Sequence, residues 1–427
     1  MTKSHSGTPP AEDSLPAEDS LRPLGSNDHS SSAAGSPRAR QWAATMSGYR
    51  TPAGTDEGIS SSGSNFPIIQ MAHEGSNAHI STKSPRDREA REELEHLLLA
   101  DGATHSSGSG NREVEEEPDP ERTCFERDRD RILHSSAFRR LAGKTQVFVF
   151  PDDHQRTRLT HALEVAQVAT AIARAIGVNV ALTEAIALGH DCGHGPGGHA
   201  SEDAFSPYVD GGYDHAVWGA DTVLRGLNLC VETTDGIRNH SWSRPAPATP
   251  EGEVVSWADR IAYVCHDFED AVRAGIVAPE QLPEIVRRRC GDRRSRQLDS
   301  FISAVVRTAR TTGRIGMDAS MGEALSAFRR FNYDNVYMRG DSLAQSESVI
   351  RVLQALVEYH AANPTGVPEQ STSVGAPISK DAPDPGSPAA FMDAVTYVGG
   401  MTDQYAFNQA TQLLSWPRRE LPVGISA

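Results

Sequence analysis

Cysteine is scarce in this sequence: its 427 residues include five cysteines, and no two of them form a CxxC pair. An odd, scattered set argues against a disulfide framework and is typical of reduced thiols in the cytoplasm. The N-terminus lacks an apolar signal sequence, and no stretch approaches the length of a membrane span. We therefore expect a cytoplasmic protein with no membrane partner.

Basic residues are also in deficit, with 41 Lys and Arg against 57 Asp and Glu and a net charge of -16. Proteins that bind nucleic acid over a general surface normally show a basic face, so this charge argues against that class. A nucleotide substrate remains compatible with it, because a bound metal and a few arginines can reverse the local field.

Residues 1–120 have few aromatic residues and little regular apolar spacing, and are rich in Ser, Gly, Pro, Asp and Glu. Such a segment buries too little apolar area to offset its ordering entropy, so we predict a disordered, low-complexity N-terminal region with one amphipathic helix near 88–100. The rest of the chain divides into a helical domain over 121–362, a Pro-, Ser- and Gly-rich flexible linker over 363–388, and a C-terminal helix over 389–416 that packs on the domain.

Apolar residues recur at helical spacing through most of residues 121–416, which predicts an all-α fold. The predicted helices cover 125–141, 160–176, 179–190, 213–224, 233–240, 251–274, 300–333 with interruptions, and 343–361. The run QVFVF at 146–150 is rich in β-forming residues and predicts a minor β-hairpin, broken at 151–153.

Histidine is concentrated in one part of the chain. Eight of the 16 histidines lie within 150–268, a segment of little more than a quarter of the sequence. Because histidine binds metals and transfers protons near neutral pH, this clustering indicates a functional site.

Four residues in this segment have the character of metal ligands. His161 lies early in one predicted helix, and His190 and Asp191 end the next. Helices joined by a short connection pack antiparallel, so these positions approach each other, and Asp259 lies on a later helix. Two imidazoles and two carboxylates suit Mn²⁺, Mg²⁺, Fe²⁺, Ni²⁺ or Zn²⁺. Four protein ligands leave positions open for water and phosphate, as metal-assisted hydrolysis requires.

The pattern His161, His190–Asp191 and Asp259 resembles the HD-domain superfamily. The surrounding sequence is similar to its deoxyguanosinetriphosphate triphosphohydrolase-like branch, over about 125–406. The matching stretches are RDRDRILHSSAFRRLAGKTQVF, RTRLTHALEVAQVA, EAIALGHDCGHGPGGHASEDAF, GGYDHAVWGADTV, TTDGIRNHSW, EGEVVSWADRIAYVCHDFEDAV and YVGGMTDQYA. The resemblance implies an HD-domain helical bundle and a hydrolase that cleaves a deoxynucleoside triphosphate, such as dGTP, into deoxynucleoside and tripolyphosphate.

The resemblance also assigns roles to individual residues. The residues that match the metal ligands are His161, His190, Asp191 and Asp259. The residues that match catalytic positions are His199 and Glu202, an acid/base pair, with His194 and His215 beside the metal or facing phosphate. The residues that match substrate contacts are Arg158, Arg260, Tyr263 and Asp267.

Further expectations concern the substrate and partners. Arg158 and Arg260 would neutralise the charge of the tripolyphosphate, and Tyr263 would stack on the deoxyribose and exclude a 2′-hydroxyl. We also expect Gln146 to contact the sugar or base. The resemblance implies Mn²⁺ or Mg²⁺ as cofactor, an allosteric nucleotide and a homo-oligomer.

The glycine-rich loop beside the predicted metal site departs from the family pattern. Family members usually carry an aromatic residue where Gly197 stands, and often Asn or Glu where Ala216 stands. The run GPGG at 195–198 therefore predicts a more flexible loop.

Two other interpretations share these residues. Another HD phosphohydrolase, acting on a nucleoside monophosphate, a cyclic nucleotide or a guanosine alarmone, would release phosphate or pyrophosphate. A nucleotide-sensing or nucleic-acid-binding protein would carry a degenerate site, against which the presence of His199, Glu202 and all four ligand-type residues argues.

Overall fold

The computed structural model describes residues 37–38, 49–52, 68–73, 76, 78, 80, 86–149, 155–367 and 383–422. The chain separates into two compact units, Met1–Lys83 and Ser84–Ala427. In the first unit, β1 (Tyr49–Pro52) pairs antiparallel with β2 (Ile68–Met71).

The second unit is helical, which confirms the predicted all-α fold. Its helices are α1 (Arg88–Leu98), α2 (Cys124–His134), α3 (Ser136–Arg140), α4 (Arg158–Ile176), α5 (Val180–Gly189), α6 (Ala200–Phe205), α7 (His215–Trp218), α8 (Val231–Arg238), α9 (Pro250–Arg273), α10 (Glu284–Cys290), α11 (Arg294–Thr312), α12 (Ala319–Asn332), α13 (Gly340–Ala362), α14 (Pro388–Gly399) and α15 (Asp403–Leu414). Across the described ranges, none of the helices combines the length and the apolar character needed to cross a membrane.

Two apolar cores organise this unit. Helices α2, α4, α5 and α9 pack on one another in the larger core, which α11 and α12 extend. Helix α13 is the centre of the smaller core and packs against α6, α14 and α15. Since α4, α9 and α13 also contribute residues to one cavity, both cores position the candidate site.

The connection between α4 and α5 is fixed by local sequence. Gly177 ends α4 with a φ of 80°, a left-handed conformation that favours glycine. The Asn179 side chain then accepts hydrogen bonds from the backbone of Ala181 and Leu182 and so caps α5. The sharp turn brings the end of α5 back toward the start of α4, as the sequence predicted.

Described residues between 86 and 120, which the sequence placed in the N-terminal region, contact the helical core. Thr104 donates from its backbone and hydroxyl to the buried carboxylate of Glu251, at 3.1 and 2.7 Å. The guanidinium of Arg112 donates to Asp128 at 2.6 Å, and both side chains are almost completely buried. These buried polar contacts compensate for the low apolar content on which the disorder prediction rested. Most of residues 1–85 lie outside the described ranges.

Arg112→Ala is expected to lower the free energy of unfolding by about 3–5 kcal/mol, because it leaves the Asp128 carboxylate buried without its charged partner. Chemical denaturation of the whole protein measures the change. Arg225→Ala is the matched control: its ion pair with Glu113 is exposed, so no measurable loss of stability is expected. A loss in Arg112→Ala as small as that in the control would show that the buried pair does not stabilise the fold.

Two of the predicted elements near the site differ in the structure. The helix expected over 125–141 is interrupted at Ser135, whose backbone is extended and whose side chain caps α3 by accepting from Phe138. The strand expected over 146–150 is absent from its described part, 146–149, where the backbone bends. Thr145, which precedes this segment, forms an isolated antiparallel bridge with Thr157, and its backbone N–H donates to Asp403 at 2.9 Å.

The C-terminal region also departs from the prediction. The helix expected over 389–416 consists of two helices, α14 and α15, because Thr402 is extended and its side chain caps α15 by accepting from Tyr405. Of the predicted linker, residues 368–382 lie outside the described ranges. Its described ends are packed: Val367 is buried, and Gly386 donates to the Ala361 carbonyl.

Candidate metal centre and catalytic cavity

The first turn of α4 supplies Arg158 and His161, which lie on one face because they are three residues apart. Both are buried, and Arg158 donates through one terminal nitrogen to Asp191 Oδ2 at 2.7 Å. Its Nε and second terminal nitrogen are buried and have no hydrogen-bond partner among the described residues. Two N–H donors of a buried cation are thus available to an anion.

The end of α5 supplies His190 and Asp191. The Nδ1 of His190 lies 2.7 Å from the Ala187 carbonyl and therefore carries the proton that it donates. Its Nε2 has no hydrogen-bond partner among the described residues. This nitrogen lies 3.4 Å from Asp191 Oδ1 and 3.7 Å from Asp259 Oδ1.

Helix α9 completes the group with Asp259. Its Oδ1 lies 3.1 Å from His161 Nε2, and ligand atoms of His161, His190 and Asp259 all lie within 4.8 Å of one another. Although burial opposes ionisation, the hydrogen bond to His161 and the charge of His190 hold the pKa of Asp259 below its usual range. The charges of Arg158 and His190 likewise lower the pKa of Asp191, although its burial opposes ionisation.

This group fits a divalent cation. Acceptor-type atoms converge here, because an oxygen of Asp191 and an oxygen of Asp259 both face the unpartnered Nε2 of His190. A positive charge among these atoms would stabilise two carboxylates held so close together in a buried site. His161, His190 and Asp259 are therefore close enough to share one ion, with nitrogen and oxygen donors suited to it, and Asp191 lies beside them with Oδ1 3.4 Å from His190 Nε2.

The residues predicted as catalytic lie on the other side of Asp191. His199 precedes α6, Glu202 lies within it, and His215 begins α7. Glu202 Oε1 accepts from His215, at 3.0 Å from the backbone nitrogen and 2.5 Å from Nδ1. The carboxylate thus orients His215, and within the described residues it has no hydrogen bond to His199. His194 stacks on His215 with ring centroids 3.7 Å apart.

The histidines of this group differ in how far their side chains are exposed to solvent. His194 and His215 are buried, whereas the side chain of His199 is exposed and lines the cavity. The protein around the ring removes part of its water and, together with the charge of Arg158, lowers the pKa of His199 to about 4. Among the clustered histidines of the site, His199 is the one best placed to exchange a proton with a bound molecule.

One cavity of about 490 Å³ connects these groups. The residues predicted to contact substrate that line it are Gln146, Arg158, Arg260, Tyr263 and Asp267. Tyr337 donates to Asp267 Oδ2 at 2.5 Å, while Asp267 Oδ1 is buried without a partner among the described residues. Burial raises the pKa of Asp267 to about 7, so this carboxyl can accept or donate near neutral pH.

The glycine-rich loop is held more tightly than the sequence predicted. Gly197 and Gly198 have φ values of 72° and 64°, and both are buried. The Gly197 backbone donates to Asp403 at 2.8 Å, and a Cβ at this position would lie 2.4 Å from a methyl carbon of Val349. The predicted flexibility is therefore wrong: here glycine permits close packing against α13.

Sequence reasoning missed several residues that shape the cavity. His240, to which the sequence analysis assigned no role, lines the cavity with its Nε2 3.3 Å from His215 Nε2. Asp403 is 258 residues from Thr145 and 206 from Gly197, and it anchors both of these cavity-lining residues. Trp242 lies under the guanidinium of Arg260. The one sequence signal for a role of Trp242 is its position in TTDGIRNHSW, a stretch that resembles the family.

Comparison with known proteins agrees with this geometry. Residues 158–264 match the HD domain, and residues 315–412 match the phosphohydrolase-associated domain. The chain is 41% identical over 326 residues to the deoxyguanosinetriphosphate triphosphohydrolase-like protein of Caldanaerobacter subterraneus subsp. tengcongensis, an alignment that covers 75% of this chain and 93% of that relative. The chain belongs to the deoxyguanosinetriphosphate triphosphohydrolase-like family.

Other members of the deoxyguanosinetriphosphate triphosphohydrolase-like family align over similar lengths. The relative from Clostridium perfringens (strain 13 / Type A) is 38% identical over 342 residues, which cover 76% of this chain and 97% of the relative. The relative from Ralstonia pickettii (strain 12J) is 34% identical over 380 residues, which cover 74% and 95%. The predicted family is thus confirmed, and the chain is a hydrolase with an HD domain.

Proposed function

We propose that this hydrolase cleaves 2′-deoxynucleoside 5′-triphosphates into deoxynucleoside and tripolyphosphate, with Mn²⁺ or Mg²⁺ as cofactor. The observation that carries the proposal is one cavity that brings three features together. These are a cluster of acceptor atoms that fits a cation, the unpaired N–H donors of Arg158, and the exposed ring of His199. The names of the relatives favour a deoxynucleoside triphosphate substrate, dGTP among them.

Binding of the polyphosphate is assigned to the arginines of the cavity. Arg158 offers two buried N–H donors beside the metal cluster, and these are short-range partners for phosphate oxygens. Arg260 lines the same cavity, and we assign its guanidinium to the same polyphosphate. When bound, the cation would be held by His161, His190, Asp191 and Asp259, and would polarise a phosphoryl oxygen and activate water.

The sugar is assigned to the α9 side of the cavity. The unpartnered Oδ1 of Asp267 is placed to accept from a sugar hydroxyl, and Tyr263 offers a ring face against the deoxyribose. Arg329 donates to the Tyr263 hydroxyl at 3.0 Å, which fixes that ring. A fixed ring against the 2′-carbon would leave no space for a ribonucleotide hydroxyl.

Proton transfer is assigned to His199. Attack of water on the α-phosphorus breaks the bond to the 5′-oxygen, which must take up a proton as the deoxynucleoside leaves. His199 is the exposed histidine of the cluster, and the charge of a bound polyphosphate would raise its pKa from the value in the free protein. We assign the orientation of the phosphate to two further histidines. These are His215, which is hydrogen-bonded to Glu202, and His194, which stacks on His215.

The test is incubation of the purified protein with each deoxy- and ribonucleoside triphosphate in the presence of Mn²⁺ or Mg²⁺. Phosphorus NMR of the products is expected to show tripolyphosphate from deoxynucleotides, and little turnover of ribonucleotides. Release of orthophosphate or pyrophosphate would favour another HD phosphohydrolase activity. Nucleotide binding without turnover under all conditions would favour a sensor.

A further inference from the structure

The guanidinium of Arg260 lies between two aromatic rings at the cavity wall. Its Cζ is 3.9 Å from the centroid of the Trp242 ring and 5.7 Å from that of Tyr263. Within the part of the chain that the structure describes, Arg260 forms no ion pair with a carboxylate. Attraction to the ring faces therefore holds this cation and leaves its N–H donors available to a ligand.

Both rings are themselves fixed. The Trp242 indole donates to the Ser256 carbonyl at 3.1 Å, and it packs edge-to-face on Trp257 with centroids 4.8 Å apart. The Tyr263 hydroxyl accepts from Arg329. An arginine side chain loses much conformational freedom when it binds an anion, so a preformed aromatic slot lowers the entropic cost of that contact.

Arg260 is half-buried, so its guanidinium is partly removed from water. The ring face of Trp242 is the compensating contact, although the side chain is 48% exposed at the cavity rim. Trp242 thus keeps about half of its surface open at the cavity while its ring face contacts Arg260.

We propose that Trp242 is a positioning residue that holds the Arg260 guanidinium toward the polyphosphate of the substrate. This inference rests on the phosphate-binding role of Arg260 in the proposed function. Trp242 does not contact the reacting atoms; it acts through Arg260 and determines how tightly the anion is bound.

The test uses inorganic tripolyphosphate as the probe, titrated calorimetrically into the metal-loaded protein. Trp242→Ala is expected to weaken binding about tenfold, which corresponds to about 1.4 kcal/mol. Arg260→Ala is expected to weaken it at least as much, and the double variant no more than Arg260→Ala alone, because Trp242 acts only through Arg260. Additive losses, or wild-type binding by Trp242→Ala, would overturn the inference.

A second pair of variants separates positioning from folding. Trp242→Phe keeps a ring face and is expected to bind tripolyphosphate within about threefold of wild type, whereas Trp242→Leu keeps apolar bulk and is expected to bind as weakly as Trp242→Ala. Equal binding by Phe and Leu variants would contradict a cation–π role. Trp416→Ala, a half-buried tryptophan of the smaller core, is the control that should bind like wild type.

Turnover measurements keep this inference distinct from the proposed function. With a deoxynucleotide that is hydrolysed, Trp242→Ala should raise KM about tenfold and change kcat by less than threefold, since binding is lost without loss of chemistry. An equal fall of kcat would indicate a general disturbance and overturn the inference. If no deoxynucleotide is hydrolysed, the proposed function fails, and the tripolyphosphate titrations still decide the role of Trp242.

Discussion

Asp259→Asn is expected to reduce the affinity for Mn²⁺ by at least about 100-fold and to remove measurable turnover. The carboxylate oxygen lies 3.1 Å from His161 Nε2 and 3.7 Å from His190 Nε2, so it is central to the acceptor cluster. The amide keeps the shape of the side chain but removes the negative charge that attracts a divalent cation. Calorimetric titration of the chelator-treated protein with Mn²⁺ measures the affinity.

Asp221→Asn is the matched control for this substitution. Asp221 is an exposed carboxylate that pairs with Arg238 outside the cavity, so its loss should leave Mn²⁺ affinity and turnover unchanged. Wild-type affinity in Asp259→Asn would show that the cation is bound elsewhere and that the four-residue site is wrong. A comparable loss in both variants would point to a nonspecific effect of net charge.

The second large effect is expected from His199→Ala. Loss of a positioned proton donor should reduce kcat by about 10² to 10⁴-fold. Metal affinity should not change, because His199 lies outside the cluster of His161, His190 and Asp259. Single-turnover kinetics with a deoxynucleoside triphosphate and Mn²⁺ titration together separate loss of chemistry from loss of metal.

His134→Ala serves as the control for histidine removal, since His134 is exposed and lies outside the cavity. It should retain wild-type kcat and metal affinity. If His199→Ala also retains wild-type kcat, proton transfer belongs to another group, and the buried His215 held by Glu202 becomes the next candidate.

Much of the candidate metal site could be predicted from the sequence. His161 and His190 stand at the ends of helices joined by a short turn, and helical spacing with the Gly177 stop places those ends together. Asp259 was predicted from the family resemblance as well as from residue type. In each case the determinant is local: side-chain chemistry, helix periodicity and helix-ending signals lie within a few residues of the ligand.

The packing of the glycine-rich loop could not be predicted in this way. Glycine content by itself indicates backbone freedom, but whether that freedom is used depends on what lies opposite the loop. Here Val349 of α13 and Asp403 of α15 occupy that position, and both are more than 140 residues away along the chain. The packing of residues 86–120 could not be predicted either, because it depends on buried partners elsewhere in the chain, such as Glu251 and Asp128.

The sequence by itself determined the helical class of this protein, through the spacing of its apolar residues. It determined the candidate ligands through the clustered histidines and through stretches that resemble a known family. Spacing and motifs are properties of short stretches of chain. The tertiary structure alone decided that Glu202 pairs with His215, that Arg158 retains two unpaired donors, and that Trp242 lies under Arg260. These are contacts between side chains on separate elements. They depend on how helices cross and on which groups remain unpaired after packing, and neither property is encoded in local spacing.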